Sequence, residues 1–330
     1  MEFEATKYMS SKEFWKKTNR NKYRAKADTF SDSLIDPETG LVYEDLVYDR
    51  SCPLCETDDP GVVFIKKGFQ YVQCNGCSML YTNPALKEDK YQEMYEVSQH
   101  TDEFIDILKS ESQRKYDENK YNYGLDIVEG LLDQGRVLDI GCSIGVFLEL
   151  AQKRDWKAYG LELNRKAYEH TIQNNLRVEN KLLSDSSFKS IKFDLLTIWD
   201  LLEHILAPKE FLSEIRSVLS DSGALLILTP NINSMAARIM HEKCNVFEGW
   251  AHVSLFSVET LHRILEETGF RIEHSETIIS EINIINNFIN YQHPYQGDLR
   301  DATALFSLIT EEDILKNKLG YKILTVALKK

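Results

Sequence analysis

The 330 residues suffice for one large domain with a smaller companion, or for two ordinary domains. A net charge of −13 argues against a chain whose main task is gripping phosphate backbones, because such proteins carry a basic field. No apolar run is long enough to cross a bilayer and no apolar N-terminal stretch resembles a secretion signal, so the expectation is a cytoplasmic protein without a membrane partner, its oligomeric state left open.

Residues 1–50 read as an extended or weakly helical lead-in. Within it "KYMSSKEFWKKTNRNKYRAK", residues 7–26, forms a basic arm on an acidic body. Residues 51–84 form a compact unit in which short aromatic and β-branched runs, "GVVFI" and "FQYVQC", separate four cysteines. Cys52-x2-Cys55, then 18 residues, then Cys74-x2-Cys77 is metal-ligand spacing. Four thiolates on two knuckles close a tetrahedron around Zn2+ and leave no open position, so the expected zinc is structural. Pro53 and Gly76 stand inside the knuckles, where the chain must turn tightly. The remaining two thiols, Cys142 and Cys244, read as packed groups.

Residues 85–134 carry apolar positions at helical spacing and are expected to form two or three helices linking the units. From 135 to 330 the texture changes. "RVLDIG", "KAYGLEL", "FDLLTIW" and "ALLILTP" are short apolar runs separated by amphipathic stretches, the pattern of parallel strands buried on both faces. "VETLHRILEETGF" is a helix ending at Gly269, "RIEHSETI" a further strand and "YKILTVALKK" the last one. Residues 280–318 are expected to be an insertion between those two strands, capping an acceptor pocket. The fold class is therefore α/β, a Rossmann-like sheet with a small N-terminal zinc-ribbon-like module.

In "VLDIGCSIGVFLEL" a strand runs into a turn with Gly141 and Gly145 and then into a helix, which brings backbone N–H groups to a ligand. Gly141 leaves room for the ligand and Gly145 for the helix to pack on the strand. Glu162 ends the next strand about 20 residues later, where a carboxylate accepts the two hydroxyls of a ribose. Asp139 decides between dinucleotide and other cofactors, since a carboxylate sits badly beneath a pyrophosphate and suits an amino-acid-bearing ligand.

With "YGLELN", "FDLLTIWDLLEHILAP" and "GALLILTPN" in this order, the sequence resembles class I S-adenosylmethionine-dependent methyltransferases, over residues 135–280 and the final strand. That resemblance implies a seven-stranded sheet with a reversed final hairpin and S-adenosylmethionine over the strand ends. It places Asp139, Gly141 and Gly145 at the methionine moiety and Glu162 at the ribose, with Cys142, Ser143, Phe147 and Leu163 also among the cofactor-binding residues. Ser184 and Asp185 fall at the adenine, and Trp199 and Asp200 on the cofactor face opposite the substrate. Cysteine-rich N-terminal modules of this sort occur in methyltransferases of sugar and natural-product pathways, where they help cover the substrate.

Two histidines are candidates for moving the acceptor's proton. His204 in "DLLEH" also suits a packing and loop-bonding role. His252 in "AHVSLFS" resembles the segment "EHxSYFS" in which deoxysugar C-methyltransferases place a base, with Ala251 departing from that pattern. Asp200, Glu203, His204 and His252 together resemble the acid-acid-His-His set that binds a divalent ion in some O-methyltransferases, again departing at its first position. The leading expectation is a methyltransferase of a small-molecule acceptor, a sugar, nucleotide-sugar or related intermediate, by O- or C-methylation. An RNA methyltransferase with a zinc ribbon, a non-catalytic scaffold and an NAD-dependent dehydrogenase are the alternatives. The acidic body speaks against nucleic acid.

Overall fold

The computed structural model describes residues 15–91, 99–289, 294–295 and 309–330. Helix α1, Arg20–Ser33, opens the described chain. The lead-in is thus a firm helix, whose Tyr23, Ala27 and Phe30 pack into a core while its basic residues make ion pairs. Lys22 and Lys26 pair with Glu103 at 2.9 and 2.5 Å, and Arg24 pairs with Glu248. Residues 1–14 of the expected basic arm lie outside the described residues.

The cysteine-rich part supplies β1 (Val47–Tyr48), β2 (Pro60–Lys66), β3 (Phe69–Cys74), β4 (Leu80–Thr82) and β5 (Ala85–Leu86). Helices α2 (Gln99–Leu108) and α3 (Glu111–Glu129) follow. Ser110 caps α3 by accepting from the Gln113 amide.

The expected sheet is present. Its strands are β6 (Arg136–Ile140), β7 (Lys157–Leu161), β8 (Val178–Glu179), β9 (Phe193–Trp199) and β10 (Leu219–Pro230), with β12 (Phe270–Ile278) and β13 (Lys322–Lys329). Their spatial order is β12-β13-β10-β9-β6-β7-β8. Strands β6 to β10 run parallel, and β13 is antiparallel to both β10 and β12. The reversed hairpin is therefore real.

Continuous apolar runs make these strands because both faces are covered. Along β9, Leu196 and Ile198 enter one core with Leu225 and Ile227 of β10, while Leu195 and Trp199 enter the other with Leu226 and Leu228. Burying each such side chain contributes about 1.5–3 kcal/mol. Helices α4 (Val146–Lys153), α5 (Arg165–Gln173), α6 (Pro208–Val218), α7 (Met235–Met240) and α8 (Val258–Glu267) complete the layers. In the 280–318 insertion, α9 (Ile282–Ile289) and α10 (Glu311–Lys316) are described. Residues 290–293 and 296–308 lie outside the described residues.

Between β10 and β12 of the large sheet, a two-residue strand, β11 (Ser254–Leu255), joins the cysteine-rich sheet, whose order is β11-β4-β3-β2. Ser254 pairs with Tyr81 and Leu255 with Leu80. The two sheets are stitched together two residues beyond His252.

Candidate active site

At the C-terminal edge of β6, Gly141 has φ +76°, Ser143 +50° and Gly145 +84°. This left-handed run is what the glycines serve. At Gly145 a Cβ would stand 2.3 Å from Leu176 Cδ1, so the close neighbour is the segment after α5 and not the strand. Glu162 locks the turn. Its Oε2 accepts from the Ser143 amide and its Oε1 from the Asn164 amide, both at 2.7 Å. Each oxygen keeps a second lone pair, the number a vicinal diol requires. Burial pushes this carboxyl above its ordinary value, opposed by the amides of Asn164 and Ser143.

A cavity of about 1620 Å3 opens from this edge. A single small ligand fills roughly 300–1,000 Å3, so there is space for a cofactor and an acceptor together. Of the residues expected at a cofactor, Gly141, Cys142, Ser143, Glu162, Leu163, Ser184, Trp199 and Asp200 line it. Asp139, Gly145, Phe147 and Asp185 do not. Asp139 is 2% exposed and accepts from the Thr197 hydroxyl at 2.6 Å, and burial pushes its pKa up to about 8, with the Glu162 charge adding. It supports the floor from behind. Phe147 packs behind Trp199 with ring centres 5.6 Å apart, and Asp185 is exposed on its short 3-10 turn.

Asp200 lies at φ +53° between two lysines, Lys322 at 2.7 Å and Lys120 at 3.4 Å. Burial works against its ionisation, but the two ammonium groups hold it well below the usual carboxylate range. Glu203 is 1% exposed. Its Oε2 accepts from Thr229 at 2.9 Å and its Oε1 is buried without a partner among the described residues, and burial pushes its pKa up to about 7, with Asp200 adding. His204 Nδ1 meets the Ala251 carbonyl at 2.9 Å and His252 Nδ1 the Val246 carbonyl at 2.7 Å. Because a carbonyl only accepts, the His252 ring carries its proton on Nδ1 and leaves Nε2 as the basic nitrogen. His204 also bonds the Asp200 backbone.

Glu203, His204 and His252 have ligand atoms within 4.8 Å of one another, so three of the four residues of the expected divalent set converge. The fourth, Asp200, is held by the lysines instead. Sequence reasoning missed Lys120 and Lys322, which come from α3 and β13 with no local motif. It also missed Glu281, at φ +52°, whose Oε2 is buried on the cavity wall without a partner among the described residues.

The four cysteines also converge. Cys52 and Cys77 sulfurs lie 3.4 Å apart, as do Cys55 and Cys74, and all four fall within 4.8 Å of one another. Edges of a tetrahedron with metal–sulfur bonds of about 2.3 Å measure about 3.8 Å, so the donor set fits one zinc ion. Each knuckle closes through an amide bonded to its first cysteine's carbonyl, Glu56 to Cys52 and Ser78 to Cys74, both at 2.9 Å. Those two residues take φ +62° and +63°. This cluster suggests, as the spacing does, a structural site.

Fold and site together define a class I methyltransferase domain. The chain belongs to the family described as a methyltransferase domain, whose pattern matches residues 104–275. It is 27% identical over 123 residues to a ubiquinone biosynthesis O-methyltransferase of Haemophilus ducreyi, covering 34% of this chain and 52% of that protein. With the enzyme of that name from Azoarcus it shares 28% identity over 108 residues, 31% of this chain and 46% of that one. The chain thus spans about half the length of these curated relatives. Among solved structures, a methyltransferase from Archaeoglobus fulgidus matches with a TM-score of 0.46 and 22% identity, covering 68% of this chain and 98% of the other.

Among the described residues no helix is long and apolar enough to cross a membrane.

Proposed function

We propose that the chain O-methylates a hydroxyl of a polar small molecule, a sugar, nucleotide-sugar or related intermediate, with His252 as the base. The observation that carries this is the fixed Nδ1–H tautomer of His252 on the wall of the cavity. Burial and the neighbouring His204 keep the ring's pKa well below its ordinary value, so it stands neutral and ready to accept. His252 Nε2 takes the hydroxyl proton while the acceptor oxygen attacks the methyl carbon. The carbon–sulfur bond breaks and its electron pair stays on sulfur. His204, bonded to two backbone stretches, orients the loop.

A sugar-like acceptor fits the polar groups of the insertion that line the cavity, Glu281, Asn283 and Asn287. The relatives named ubiquinone biosynthesis O-methyltransferases support a second reading, a phenolic hydroxyl. The charge argument for RNA weakens, since Lys22, Arg24 and Lys26 are engaged by Glu103 and Glu248.

Isothermal titration with S-adenosylmethionine and with NADH, beside Glu162→Ala, tests the cofactor. Saturable binding of the first only, weakened at least about tenfold in the variant, is expected from two lost charge-assisted hydrogen bonds. No binding by a folded protein would return the scaffold reading. Mass spectrometry of nucleotide-sugar and catechol panels then separates the two acceptor classes.

A further inference from the structure

Arg50 stands two residues before the first cysteine of the zinc-type cluster, yet its guanidinium serves the other half of the molecule. Nε donates to the Thr82 carbonyl at 3.3 Å, Nη1 to the Leu206 carbonyl at 2.9 Å, and Nη2 to the Val253 carbonyl at 2.6 Å and the Ser254 hydroxyl at 3.4 Å. The group also lies over the Tyr81 ring, 5.4 Å from its centre. Among the described residues no carboxylate stands within ion-pair distance of it. A partly buried charge met only by neutral acceptors is a costly way to hold two segments together, and apolar packing would do so at less expense. What the fork supplies is direction, since its donors fix three chain segments in one plane.

Those segments are the ones that present the histidines. Val253 directly follows His252, and its amide donates to the Glu203 carbonyl at 2.9 Å while its own carbonyl accepts from the Thr82 amide at 3.1 Å. Leu206 follows His204 by two residues, and the Ser254 hydroxyl donates to the Ile205 carbonyl at 2.8 Å. On the other side, Thr82 ends β4, which leaves the second knuckle directly after the Cys74 amide bonds the Met79 carbonyl at 2.9 Å.

We propose that Arg50 is a positioning residue that clamps the His204 and His252 loops onto the cysteine cluster, so that a metal held by the four thiolates sets where His252 stands. The cluster then backs the acceptor end from behind the histidine loops and is not an appendage. This rests on the reading of His252 as the acceptor's base, but the clamp is tested without any acceptor.

The test uses full-length, zinc-loaded protein with ¹⁵N-labelled histidine. In the wild type the ring nitrogens of His252 show one fixed Nδ1–H tautomer, and the amides of Thr82 and Val253 exchange slowly. Arg50→Ala is expected to average the tautomer signature and to speed exchange of both amides at least about tenfold. Zinc content and S-adenosylmethionine affinity should stay within about twofold, because the cofactor end lies on the other sheet. Arg50→Lys should restore part of the signature, and chelating the metal from the wild type should reproduce the loss. Unchanged ring signals and exchange in Arg50→Ala overturn the clamp, and so does a cofactor affinity that falls in step with them. If Arg50→Ala does not fold, Arg50→Lys and the chelated wild type carry the same readouts. A His252→Ala protein that still transfers methyl groups would sink the base reading and leave the clamp standing.

Discussion

The rings of His204 and His252 meet edge to face, with centres 4.8 Å apart, and each Nδ1 faces a backbone carbonyl. Burial disfavours the charged form of each ring, and protonating His252 would set its charge beside that of His204. Burial lowers His204 to about 4 and drives His252 well below its ordinary value. The unfolded chain therefore binds more protons than the folded one between about pH 6.5 and 4, and stability falls as pH drops through that window. His204 alone accounts for about 3 kcal/mol at its acid end. Urea unfolding from pH 7.5 to 4.5 should show an acid limb that flattens in His204→Gln and His252→Gln; equal slopes in wild type and variants would refute buried neutral rings.

Gly124 lets α3 approach Trp199, the aromatic wall of the cavity. A Cβ there would lie 2.5 Å from Trp199 Cη2 and 3.1 Å from Leu226 Cδ1. Alanine gains about 1 kcal/mol of helix propensity over glycine, but overpacking a filled core costs about 1–3 kcal/mol. Gly124→Ala should therefore lower the melting temperature by a few degrees and weaken S-adenosylmethionine about tenfold, read by calorimetry and titration. Unchanged affinity would mean Trp199 is no part of the cofactor wall.

The sheet was legible because strands buried on both faces are apolar without interruption, as in "FDLLTIW". The cysteines were legible because their spacing is a local property. Arg50, Lys120 and Lys322 were not, because the site residues each of them meets stand at least 32 positions away and none sits in a motif. Helix α1 was underread for a related reason. In "RNKYRAKADTFSDS" the narrow stripe of Tyr23, Ala27 and Phe30 is diluted by charge, and its partners Phe104, Trp250, Glu103 and Glu248 belong to distant segments. Asp139 was placed correctly on its strand, but its partner Thr197 stands on the neighbouring strand, 58 positions on, and that pairing turns the carboxyl away from the cavity.

The cysteine cluster predicts one zinc per chain by elemental analysis, retained through dialysis. Cys74 is 1% exposed and joins the cluster to β3. Cys74→Ser should lose the metal and lower the melting temperature by roughly 10 °C, since structural zinc is folding free energy. A metal-free wild type with the same melting temperature as the loaded protein would refute a structural ion.

Asp139 offers the cleanest titration in the floor of the site. Burial raises its pKa to about 8, and the Thr197 hydroxyl, which donates to the ionised form, offsets part of that. The unfolded chain loses this proton near pH 4, so between about pH 4 and 8 the folded protein holds a proton that the unfolded one has released. Stability contributed by this group is complete at low pH and is lost as pH rises through that interval. Asp139→Asn keeps the shape and an oxygen for Thr197 to donate to, but never ionises. The variant should match the wild type near pH 4 and gain on it steadily, to an upper bound of roughly 5 kcal/mol by pH 8. Guanidinium unfolding at pH 5 and pH 8.5 measures the difference. A variant less stable at pH 8.5 than at pH 5, relative to wild type, would show that Asp139 is ionised in the folded protein and bound to a cation.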